Sequence, residues 1–196
     1  MINNKTIVLL FFCLVACTSN DKEALKSADS GLIDVIATDL FFEQKTNSSI
    51  LNIKDNLVSV DHKVRFDSLL RAHNELAILR INDSNCGLCI EVELEEILSF
   101  KAKLNTNQIV VFASFESERN LKLMTKGLSG SGIPIFTIDY GELKLPADEV
   151  NAPYYFTINS NHIVNHTFVP IRGIEPLNES YFNAISAVFR SGTRGL

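Results

Sequence analysis

The chain has 196 residues, 46% of them hydrophobic, with 18 Lys and Arg against 23 Asp and Glu, 13 Phe, no Trp and four Cys. So much apolar residue excludes a disordered tail, and so few cysteines over this length exclude a disulfide-stapled miniature. A net charge of −5 without a clustered basic window argues against nucleic acid as a partner, and a single sizeable core is the expectation at this length.

From the N-terminus, Met1 to Lys5 is a short, weakly positive start, and Ile7 to Ala16 is an unbroken apolar run that ends at Cys17. Ten residues are too few to span a bilayer, which takes about 20, but they suit the core of a signal peptide. The residues Leu14-Val15-Ala16-Cys17 resemble the lipobox of bacterial lipoproteins, in which the signal is cut before a cysteine that then carries lipid. That resemblance implies a signal peptide over residues 1–16 and a lipid on Cys17 that holds the chain to a membrane of the bacterial cell envelope. A tether and N-terminal extension over 17–48 and a folded domain over 49–196 follow. Thr18 is not the Asp that retains some lipoproteins at the inner membrane, which favours the outer membrane and a periplasm-facing domain. With Cys13 removed and Cys17 lipidated, Cys86 and Cys89 are the remaining pair.

Further along, Gly31 to Phe42 suits either a helix or a strand, Leu51 to Val60 alternates as an added strand, and Val64 to His73 has the spacing of a helix. Leu76 to Asn82 is an apolar run of strand length, followed by the polar turn Asp83-Ser84-Asn85. Then comes Cys86-Gly87-Leu88-Cys89, a C-x-x-C in a chain that its signal sends out of the reducing cytosol. Beyond it Val92, Leu94, Ile97, Leu98 and Leu104 recur at helical spacing among Glu91, Glu93, Glu95 and Glu96, so the motif lies where a strand hands over to a helix. Ser84 or Asn85 is the expected cap. A helix N-terminus presents unpaired N–H groups and a positive dipole end that favour a thiolate, which makes Cys86 the attacking sulfur and Cys89, one turn on, the resolving one.

Gln108 to Ser114 reads as a buried strand, Glu116 to Lys126 as a helix stopped by Gly127, and Gly132 to Asp139 as a third strand with Pro134 near its start. Tyr140 to Asn151 reads as a loop, Tyr154 to Ile158 and His162 to Phe168 as a β-hairpin, and Asn178 to Arg190 as a closing helix. This order predicts an α/β fold: a central mixed sheet, parallel in its first half and ending in a hairpin, with helices on both faces.

With these elements in this order the chain resembles the thioredoxin-like superfamily, and within it the membrane-tethered thiol-disulfide oxidoreductases, over about residues 50 to 190. The Cys86-Gly-Leu-Cys89 motif at a strand-to-helix junction, Ala152-Pro153-Tyr154 entering the hairpin, and the terminal helix carry the resemblance. It implies that Pro153 follows a cis peptide bond and that Pro153, Ala152, Gly87 and Leu88 shape a groove for an extended substrate segment. It further implies disulfides or dithiols of envelope proteins as substrates, a membrane redox partner, and no organic or metal cofactor, because the dithiol itself carries the electrons.

Departures from the family pattern bear on mechanism. Asn85 stands where an aromatic residue usually precedes the first cysteine, and Gly87-Leu88 replaces a Pro-containing pair. Arg80 stands where cytosolic members carry a buried acid, and Val92 where tethered members often carry Glu. Glu91 and Glu93 are neighbours able to substitute for that acid in handling protons, and the solvated face of the helix is the favoured reading for both. Carboxylates near Cys86 hold its thiol up, Arg80 would pull it down if close, and no cation lies between the cysteines, which favours a reductase or exchange role over an oxidase role. Two other classes compete. One is a non-catalytic binding lipoprotein whose cysteines form a structural disulfide. The other is a metal site, with zinc disfavoured because His162 and His166 lie four apart on a strand, and copper delivery by two thiolates and one of these histidines kept as the less favoured alternative.

Overall fold

The computed structural model describes residues 40–54, 57–104, 106–172 and 175–192. The expected signal peptide, Cys17 and the extension as far as residue 39 lie outside the described residues. In chain order the elements are α1 (40–46), α2 (Phe66–His73), β1 (Glu75–Asn82), α3 (Gly87–Leu104), β2 (Ile109–Ser114), α4 (Glu118–Met124), β3 (Ile135–Thr137), β4 (Tyr154–Asn159), β5 (Val164–Phe168) and α5 (Glu175–Gly192).

The strands form one sheet in the order β3-β2-β1-β4-β5. β1 pairs parallel with β2 and antiparallel with β4, β2 pairs parallel with β3, and β4 and β5 make the antiparallel hairpin. β1 and β2 are apolar without alternation because helices cover both of their faces. Leu76, Ile78, Val110, Phe112, Tyr154 and Phe156 turn to one face and meet Phe66 and Leu70 of α2. Ala77, Leu79, Ile81, Val111 and Tyr155 turn to the other and meet Ile90, Leu94, Ile97 and Phe100 of α3 with Ile185 and Phe189 of α5. The architecture is the expected mixed sheet with helices on both faces.

Several boundaries differ from the sequence expectation. The described residues of Leu51 to Val60 form no strand: Val58 makes an isolated bridge to Arg65, and Ile50, just before the segment, makes one to Ile163. Leu51 and Ile53 still turn inward and bury, which explains the alternation. The third strand shrinks to Ile135–Thr137, because Pro134 lacks an N–H and offers the sheet only its carbonyl, to Val111. Gly127 does not stop α4: the helix ends at Met124 and Gly127 lies inside a 3-10 turn over Lys126–Leu128. The loop after β3 contains a second such turn, Pro146–Val150.

Candidate functional site

β1 ends at Asn82 and the chain turns sharply into α3. Asn82 Oδ1 accepts the N–H groups of Ser84 and Asn85, while the Asn82 N–H donates to Asn85 Oδ1 at 2.8 Å. The two asparagines therefore spend themselves on each other, and neither Ser84 nor Asn85 caps the helix as expected. The cap is Cys86 itself: its carbonyl accepts the Ile90 N–H and its Sγ accepts the Cys89 N–H at 3.1 Å. A sulfur takes the place that a Ser or Asp oxygen normally fills, at the positive end of an 18-residue helix.

Cys86 and Cys89 are joined by a disulfide with their Cα atoms 5.1 Å apart. Cys86 is exposed and Cys89 half-buried. Gly87 and Leu88 lie in the first turn of α3, with Leu88 61% exposed, and a β-carbon on Gly87 would meet Met124 Cε of α4 at 3.6 Å. Ala152 packs against the core on the α2 face, and the buried Pro153 precedes Tyr154, which lies opposite Arg80 near the end of β1. Ser84 Oγ, 3.3 Å from Asn151 Oδ1, ties this segment to the turn before Cys86. The Ala152–Pro153 bond is trans, as are all peptide bonds among the described residues, so the cis geometry implied by the resemblance is not present.

One side chain of α3 departs from the sequence expectation. Glu93 is buried, not solvated, whereas Glu91 is exposed. The stripe of α3 that faces the sheet runs Ile90, Glu93, Leu94, Ile97 and Phe100, and position 93 belongs to it. Glu93 Oε2 accepts the hydroxyl of the fully buried Tyr155 at 2.8 Å. Burial pushes the Glu93 carboxyl up to about 7, against the Tyr155 hydrogen bond and the charge of Arg172, which act to lower it. One helical turn separates Glu93 from Cys89, which puts the two on the same side of α3.

Arg80 is buried on the opposite face of the sheet. Its guanidinium pairs with Asp148 at 3.2 Å and donates to Ser114 Oγ and the Ile81 carbonyl. Tyr154 also donates to Asp148. The cation beside the cysteines is instead Arg172, whose Nη2 lies 3.4 Å from Cys86 Sγ. It stands in the connection from β5 to α5, and no local pattern marks it.

His162 sits in the hairpin turn, at the end of the sheet where Asn159 pairs with Glu75, away from the end of β1 that leads to Cys86. Among the described residues no three His, Cys, Asp or Glu side chains gather as a metal site. No helix among them is long and apolar enough to cross a membrane.

A five-stranded sheet of this order, with a C-x-x-C disulfide capping the helix that follows its central strand, decides the fold. It is thioredoxin-like. No family profile and no curated protein sequence matches the chain. Similar solved structures include the thioredoxin domain of a thiol-disulfide oxidoreductase from Bacteroides vulgatus, at 9% identity and TM-score 0.48 over 73% of this chain and 97% of that one. The pneumococcal exposed lipoprotein thioredoxin of Streptococcus pneumoniae has 17% identity and TM-score 0.44 over 66% and 98%. A secreted disulfide oxidoreductase of Mycobacterium tuberculosis has 8% identity and TM-score 0.48 over 65% and 93%. In this thioredoxin-like fold the motif lies just beyond the C-terminal end of the central strand, at the start of α3.

Proposed function

We propose that the protein is a lipid-anchored envelope thiol-disulfide oxidoreductase in a reductase or exchange role. The observation that carries the reading is an exposed Cys86 at the cap of α3, bonded to a half-buried Cys89 with the buried carboxyl of Glu93 one turn below. In the reduced protein the Cys86 thiolate attacks one sulfur of a substrate disulfide, and the other substrate sulfur leaves as a thiolate. Cys89 then gives its thiol proton to the Glu93 carboxylate and attacks Cys86 Sγ. The Cys86–Cys89 bond forms again, the second substrate thiolate departs, and two electrons have passed from the dithiol to the substrate. A carboxyl that titrates at about 7 takes and returns a proton readily at neutral pH. Leu88, Gly87, Ala152 and Pro153 line the approach to Cys86, and a membrane redox partner returns the pair to the dithiol.

A glutathione titration of the purified protein, with the cysteines read by alkylation and mass spectrometry, tests this. A reversible transition between roughly −180 and −280 mV is expected. A potential near −120 mV contradicts the reductase or exchange role, and a pair that stays oxidised below about −300 mV marks a structural disulfide and a binding lipoprotein. The domain arrangement rests on the lipobox: Cys17→Ser is expected to abolish labelling by radioactive palmitate and to move the protein from the membrane to the soluble fraction. Labelling that persists in the variant rejects the anchor.

A further inference from the structure

Opening the Cys86–Cys89 bond puts negative charge on the sulfur that caps α3. The Cys89 N–H at 3.1 Å and the helix dipole meet that charge from one side. From another side comes Arg172, 86 positions later in the sequence, with Nη2 at 3.4 Å from Cys86 Sγ. Acidic groups stand on the elements that carry the pair. Glu93 and Glu96 stand on α3, and Asp83 stands in the turn before the motif, where its carboxylate accepts the Glu116 N–H. Tyr155 faces Glu93 from β4 through its hydroxyl.

We infer that Arg172 is a catalytic residue of the exchange reaction, whose guanidinium holds the Cys86 sulfur as a thiolate whenever the disulfide is open. The inference rests on the exchange reading proposed above. In the direction that reduces substrate, the held thiolate is the nucleophile. In the recharging direction, a partner thiolate attacks the mixed disulfide at the partner's own sulfur, the partner's disulfide forms, and Cys86 leaves as a thiolate onto the same guanidinium. No proton or electron enters from Arg172, which stays charged throughout. Arg172 also acts on Glu93, where its charge favours the carboxylate, so one cation serves both the attacking sulfur and the base for the resolving one. A lysine in its place keeps the charge but loses the planar fork of donors.

The test uses the full chain with Arg172→Gln and Arg172→Lys, each first reduced with excess dithiothreitol. The pH dependence of Cys86 alkylation by iodoacetamide is the first readout, and the glutathione equilibrium at about pH 8, below the ordinary cysteine range, is the second. Arg172→Gln is expected to raise the alkylation midpoint by about one pH unit. The pair should then be harder to reduce by up to about tenfold, up to about 30 mV more negative, and Arg172→Lys should recover part of both effects. Alkylation rates of the wild type and Arg172→Gln that agree within twofold at every pH overturn the inference. Because reduction is forced, a shift in midpoint in a protein whose disulfide lies below about −300 mV rejects the exchange reading while the thiolate contact stands. Exposure of Arg172 at the surface leaves both variants free to fold, and an unchanged circular dichroism spectrum checks this.

Discussion

Position 93 has a measurable cost. The Glu93 carboxyl titrates at about 7 in the fold against an ordinary 4.5, so the folded state binds more protons than the unfolded state between those values. Stability therefore falls as pH rises from about 4.5 to about 7 and is level above, and the full difference is on the order of 3 kcal/mol. Glu93→Gln keeps the shape and a hydrogen-bond partner for Tyr155 but removes the charge. It is expected to raise the melting temperature at about pH 8 and to flatten its pH dependence. The same change removes the base that takes the Cys89 proton, so exchange should slow by about a hundredfold, within the range for general-base loss, and lose its inflection near pH 7. A variant that is less stable at alkaline pH, or as fast as the wild type, contradicts this account. The burial of Glu93 was partly legible in the sequence: counting from Ile90 at helical spacing lands on 93, and an acid inside an apolar stripe is the signal. Exposed glutamates on both sides of it obscure that signal.

At the level of elements, the pairing of β1 with β4 carries a polar knot on the α2 face. Arg80 of β1, Tyr154 of β4 and Asp148 of the 3-10 turn before β4 meet there, and Arg80 is only 2% exposed. Removing one member of a buried pair leaves an uncompensated charge, which costs about 3 kcal/mol at the lower end of the usual range when one partner is partly exposed. Asp148→Ala should therefore lower the melting temperature by roughly 6–12 °C in a chain of this size. Adding Arg80→Met to it should restore much of the loss. Neither change should move the alkylation midpoint of Cys86, because the knot and the cysteines lie on different sides of the sheet. A shifted midpoint would return Arg80 to the role the sequence left open for it, as a charge felt by the motif.

Across the whole molecule, both edges of the sheet are covered by chain that is not itself strand. At β3, the Val60 N–H donates to the Ile135 carbonyl at 2.8 Å. At β5, Ser48 and Ser49 exchange hydrogen bonds with Val164, the Asn47 side chain accepts the Thr167 N–H, and Glu43 accepts the Val169 N–H. Thr46 reaches further and accepts the Ala147 N–H. An unpaired edge is a template for another chain, and these residues remove it. A chain that starts at residue 49 is expected to melt roughly 10 °C below one that starts at residue 40, since it loses several bonds worth about 1 kcal/mol each, and to aggregate on standing. Equal melting temperatures would show that residues 40–48 add nothing to the domain.

What the sequence determined alone is what depends on neighbours within a turn or a strand. Apolar runs and helical spacing set the order of strands and helices, and the abrupt change from one to the other placed Cys86 and Cys89 at a junction where a helix end meets a strand end. What tertiary structure alone decided is what depends on which faces meet. Arg80 turns away from the cysteines because strand neighbours alternate sides, and residues 40–48 find their partners on β5, 120 positions later for Asn47 and Thr167. Arg172 stands beside Cys86 because the connection from β5 to α5 passes the open end of the sheet. Such contacts are settled by closing long loops around a packed core, and the energy that chooses among them is burial shared over the whole sheet, which no local segment records.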